Sequence, residues 1–136
     1  MKKASNILLT IGGIFSIIYA VIFLGLSIGF FISGSPVATN AIIEGLENGT
    51  IQTNIEGATT AEIAAGVQLL FIIIAVVFVI MMLFNVVNVV LISLAKKKQT
   101  KALYILNIVF GFISSATLNM VGGVFGLISA SKRNNN

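Results

Sequence analysis

The chain has 136 residues, 57% of them hydrophobic and 9% charged, with a net charge of +4 and a mean hydropathy of +1.09. A domain of this size cannot hide so much apolar surface in one core in water, so the composition points to a lipid bilayer as solvent and to a single compact domain. Cys, His and Trp are absent, which excludes disulfides, thiol nucleophiles, imidazole bases, Ser-His-Asp triads and zinc sites of the Cys/His kind.

The first predicted element is a transmembrane helix over residues 7–32. That run carries no charge, and its only polar side chains are Thr10, Ser16, Tyr19 and Ser27, so it exceeds the ~20 residues a crossing needs. It is also longer than the ~7 to 15 apolar residues of a cleaved signal, so the span is expected to stay. Small residues recur four apart along it, first Gly12, Ser16 and Ala20, then Gly25 and Gly29. In lipid, apolar burial gives no drive between helices, and such faces let backbones approach and gain dispersion contacts.

Residues 33–65 form the next region, a polar loop holding all four acids, Glu44, Glu47, Glu56 and Glu62. Ser35 followed by Pro36 supplies a cap and a first-turn proline, and Ala38, Ala41, Ile42 and Leu46 recur at helical spacing until Asn48-Gly49. A short amphipathic helix is predicted there. Ile51, Thr53 and Ile55 alternate with polar residues, a weak strand signal over a short run. The four Glu lack the spacing of a calcium loop, and a solvated, topology-setting segment is the expectation. Thr59-Thr60-Ala61-Glu62 then matches a capping box, so the following helix is predicted to start near Thr60.

The second span covers residues 66–95, and from Leu69 to Phe84 it has no polar side chain at all. Asn85 and Asn88 lie three apart towards its end. Beyond it, residues 102–130 are uncharged but diluted by Asn107, Ser114, Ser115, Thr117 and Asn119. Asn107, Gly111, Ser115 and Asn119 recur every four residues, and Gly122, Gly126 and Ala130 form another small-residue face. Carboxamides in hydrocarbon seek each other, so Asn85, Asn88, Asn107 and Asn119 are expected to bond across the bundle as glue; lining a polar path is the alternative. Gly122-Gly123-x-x-Gly126 follows no strand and precedes no Lys-Ser/Thr pair, so a nucleotide loop is not supported.

The eight basic residues fall at three places: Lys2 and Lys3; Lys96, Lys97, Lys98 and Lys101; Lys132 and Arg133. Their clustering beside apolar runs reads as membrane topology, not as a nucleic-acid face. By the positive-inside rule all three places are cytoplasmic and the acidic loop is external. The last stretch must then begin and end inside, as two short segments, 102–114 and 117–131. A single helix would be about 44 Å long and would span comfortably, but would leave Lys132 and Arg133 outside. The charge rule favours the hairpin, and the length rule favours one helix.

The sequence from Lys101 to Lys132 resembles the carboxyl-terminal half of a family of small membrane proteins of Gram-positive bacteria, catalogued as a domain of unknown function. Ile11-Gly12-Gly13-Ile14-Phe15 and the lysine-rich inner segment share the resemblance. It implies four membrane segments with a long outer loop after the first, and it carries over no catalytic residue.

The expected fold class is therefore all-α, an integral helical bundle of four segments in a plasma membrane. Both termini are expected to be cytoplasmic. No ionisable group lies inside the spans, which disfavours proton-coupled transport and intramembrane proteolysis. The chain is expected to be no enzyme and to need no cofactor or metal. Its expected partners are the lipid bilayer and other membrane proteins or further copies of itself, met through Gly and Ala faces. Three roles fit: an accessory protein, including bacteriocin-immunity or exclusion types; an oligomeric, holin-like pore; or a small solute carrier with a mid-membrane cavity.

Overall fold

The computed structural model describes residues 1–114 and 117–134. Among these, five helices and no strand are present: α1 (Lys2–Ser33), α2 (Pro36–Glu47), α3 (Thr60–Lys98), α4 (Lys101–Ile113) and α5 (Thr117–Asn134). The chain is all-helical, and α1 and α3 are each long and apolar enough to cross a membrane.

The helix boundaries follow from the local chemistry predicted for them. Ser35 caps α2, its Oγ accepting from the Ala38 N–H at 3.3 Å, with Pro36 in the first turn. Asn48 ends that helix, and Gly49 takes φ +78, a left-handed backbone open to glycine at little cost. At the start of α3, Thr59 N–H donates to Glu62 Oε2 at 2.8 Å while Glu62 N–H donates to Thr59 Oγ at 3.2 Å, the reciprocal capping box. The weak strand signal over 51–55 is not realised. With no second strand to pair with, Ile51 instead folds back, donating its N–H to Gly45 O at 2.8 Å and packing over the space left by the missing Gly45 side chain.

The chain divides into two compact units, Met1–Ile22 with Ile80–Asn136, and Phe23–Val79. In the second unit, Phe30 stacks near Phe71 and Phe78, and Phe23 lies 5.8 Å from Phe78 between ring centroids. Gln68 Nε2 donates to Gly34 O at 3.0 Å and so closes the end of α1 onto α3.

In the first unit four helical stretches run alternately up and down. Ser5 Oγ donates to Gly122 O at 2.8 Å, tying α1 to α5. Asn88 of α3 reaches Ser16 of α1, and Asn107 of α4 reaches the Leu91 carbonyl of α3. The Tyr104 ring of α4 lies over Gly126 of α5, and Gly123 faces Ile108 and the Tyr104 carbonyl. Residues 101–134 thus hold two helices packed on each other, and the single-long-helix alternative is overturned. The chain reverses between α3 and α4 at Gln99, a non-glycine residue at φ +52. Arg133 donates to its carbonyl at 3.1 Å and to its Oε1 at 3.4 Å, which ties the end of α5 to that turn.

Candidate functional site

The interior of the first unit is polar at its centre. Asn85, Asn88, Asn107, Asn119, Ser5 and Ser16 have no exposed surface, and Ser114 has almost none. The same unit holds a small apolar cluster of Leu9, Ile92, Ala95, Tyr104 and Ala130.

Ser16 is the hub. Its Oγ accepts from Asn119 Nδ2 at 3.0 Å and from Asn88 Nδ2 at 3.3 Å, joining α1, α3 and α5 at one atom. Asn88 Nδ2 also approaches Ser114 Oγ at 3.4 Å, and that hydroxyl donates to Phe110 O at 2.7 Å, adding the end of α4. Asn107 Nδ2 donates to Leu103 O at 2.9 Å within α4 and to Leu91 O at 3.2 Å on α3. The carboxamides therefore cross between helices, but to hydroxyls and backbone carbonyls, not to one another. Asn85 departs from the expectation. Its Nδ2 donates to Met81 O at 2.9 Å, one turn back on its own helix. It lies three residues from Asn88, a neighbouring position on the helix surface, yet shares none of the bonds Asn88 makes to Ser16 and Ser114.

Gly12 and Ser16 form the close-contact face of α1. The position a Gly12 Cβ would take coincides with the carboxamide oxygen of Asn119, so only glycine lets α5 approach this far. Gly122 plays the same part opposite Leu9, and Gly126 opposite the Tyr104 ring. Ala130 is buried, and Ala20 is half-buried. Gly25 and Gly29 differ: nothing among the described residues lies within 4 Å of their Cβ positions. Gly111 is buried as its place in the four-residue repeat requires; Ser115 of that repeat lies outside the described residues.

Comparison with family models, curated proteins and solved structures finds no match. The chemistry of the cluster is then a matter of its own donors and acceptors.

Each of the four buried carboxamides donates through nitrogen, and each of their oxygens is enclosed without a hydrogen bond from the described protein, as is Asn6 Oδ1. Asn119 Oδ1 lies against the Cα of Gly12, on the side where a Cβ would stand. A row of neutral acceptors in an apolar wall attracts donors such as water or a hydroxyl, and it cannot itself bind and release a proton near neutral pH. Among the described residues no three His, Cys, Asp or Glu side chains converge as a metal site would require.

Sequence reasoning missed Ser5, Tyr104 and Gly123. Ser5 sits in the basic start ahead of the apolar run. Tyr104 stands among other large apolar residues, and nothing in its local sequence marks it as the ring that packs on Gly126.

Proposed function

We propose that the chain is an integral membrane bundle of four segments with both termini cytoplasmic, serving as an accessory or interaction protein without catalytic activity. The observation that carries the membrane reading is inverted burial. The most apolar windows of α1 and α3 are only 22% and 11% buried, with Ile17, Val21, Leu69, Leu70 and Val90 facing outward while Asn and Ser fill the interior. In water that order is unfavourable at nearly every position; in hydrocarbon it is the expected one.

Charge supports the orientation. Lys2, the Gln99 turn between Lys98 and Lys101, and Arg133 meet at one end of the first unit, and the four Glu lie in the loop assigned to the outer face. At about 20 Å and about 27 Å, α4 and α5 fall short of a ~30 Å core, which suits a locally thinned bilayer. The interaction role is supported by Gly25 and Gly29, a small-residue face on α1 that meets nothing among the described residues. Immunity and exclusion proteins are roles of this kind.

The test is recovery from native membranes in mild detergent, comparing the natural chain with Gly25→Ile/Gly29→Ile. A defined partner or second copy lost in the variant supports the reading; identical recovery overturns it. Protease added to intact cells should cut near Glu56 and not near Lys97.

The enclosed carboxamide oxygens favour one second reading, a polar path in an oligomeric pore. That reading requires loss of membrane potential on expression.

A further inference from the structure

The end of the first unit contains a cavity lined by Lys2, Gln99, Tyr104, Ser129, Ala130 and Arg133, with a volume of about 90 Å³. Two cations enter it from distant parts of the chain. Lys2 comes from the first turn of α1, and Arg133 from the last turn of α5. Arg133 is held in place by Gln99, which takes N–H groups from Nη1 and Nη2. The guanidinium has five N–H donors, and those two bonds use two of them. Below them the wall is apolar, formed by the Tyr104 ring and Ala130, both buried.

The charge of this unit has no counterpart within it. All eight basic residues lie in Met1–Ile22 or Ile80–Asn136, and all four Glu lie in Phe23–Val79. A docked anion would relieve the repulsion between cations brought together here. Guanidinium and ammonium groups converging over an apolar floor suit a phosphate, which Arg engages through paired N–H groups and Lys as a point charge. In a bilayer the anion present at this depth is the lipid phosphate, and basic pockets between helix ends on the cytoplasmic side are where headgroups dock.

We propose that this cavity binds the phosphate of an anionic lipid headgroup, with Arg133 and Lys2 as ligands and Gln99 positioning the guanidinium. The phosphate chemistry rests on the cavity alone, and the lipid source rests on the membrane reading.

Native mass spectrometry of the full chain released from mild detergent, with phosphatidylglycerol or phosphatidylcholine added, tests it. Phosphatidylglycerol is retained in preference, and Lys2→Gln/Arg133→Gln weakens its retention about tenfold. Lys97→Gln/Lys98→Gln removes the same charge from exposed positions outside the cavity and changes retention no more than about twofold. Equal weakening by both pairs means a diffuse basic surface and overturns the site. Ser129→Leu fills the cavity while keeping every charge; it lowers retention, and full retention overturns the site even if the double variant fails to fold. Retention of inorganic phosphate with no preference for phosphatidylglycerol over phosphatidylcholine overturns the headgroup assignment in favour of a soluble anion. A chain soluble without detergent sinks the membrane reading separately, whichever anion is retained.

Discussion

The carboxamide oxygen of Asn119 occupies the place where a side chain on Gly12 would begin. Asn119 is held there by its bond to Ser16, one turn along α1 from Gly12. Gly12→Ala therefore forces Asn119 off Ser16 or pushes α5 away, at about 1–3 kcal/mol for such overpacking. Gly13→Ala is the control, because its Cβ meets Ile92 at an ordinary 3.6 Å. Thermal or denaturant unfolding in detergent should show Gly12→Ala destabilised and Gly13→Ala not. Asn119→Ala should restore part of the loss in the double variant, and simple additivity would contradict the contact.

Asn85 and Asn88 should behave differently despite their spacing. Asn88 joins α3 to the hydroxyls of Ser16 and Ser114, so Asn88→Leu removes interhelical bonds worth ~0.6 to 2 kcal/mol in membrane proteins. Asn85 donates only within its own turn, and its oxygen is enclosed without a partner. Asn85→Leu removes that unsatisfied acceptor and should be neutral or stabilising. Unfolding midpoints of the two single variants in mixed detergent micelles measure the difference. Equal losses would mean that Asn85 also bonds across the unit.

Helix ends were legible in the sequence where a side chain answers a backbone group locally. Ser35-Pro36 and Thr59 with Glu62 identify the starts of α2 and α3, because each cap involves residues within three positions. The candidate site was legible only as faces. A four-residue spacing places Gly12 with Ser16 and Gly25 with Gly29 on helix faces, but whether a face meets another helix depends on rotation and crossing in three dimensions. Identical spacing thus gave one buried contact and one open surface. The same limit hid the pairing of Asn88 with Ser16, 72 positions apart, and grouped Asn85 with residues whose bonds it does not share.

The start of α3 should respond to acid. The Thr59 backbone N–H, and then its hydroxyl, hold the Glu62 carboxyl below the usual carboxylate range, against a small opposing effect of burial. Because the folded pKa is depressed, the stabilisation is fully present above the unfolded value of about 4.3. It is lost as pH falls through the lower folded pKa. Amide exchange of the first turn of α3 should therefore quicken in acid beyond its intrinsic pH dependence. Glu62→Gln keeps a capping partner without a charge and should remove that excess. A variant retaining the same pH response would place its origin elsewhere.

Gly25 and Gly29 separate stability from association. Since nothing among the described residues lies within 4 Å of either Cβ position, Gly25→Ile/Gly29→Ile should be accommodated without disturbing the fold. Replacing glycine inside a helix also favours the helix, by up to ~1 kcal/mol per position. The unfolding midpoint of the variant should stay level or rise. A second helix seated on this face would lose its close approach, because small residues four apart allow backbone contact that isoleucine blocks. Sedimentation equilibrium or in-membrane crosslinking should then show weaker self-association, or loss of a bound partner, from a protein no less stable than the natural one. A fall in both stability and association would mean that this face packs within the chain, and the interaction reading would lose its main support.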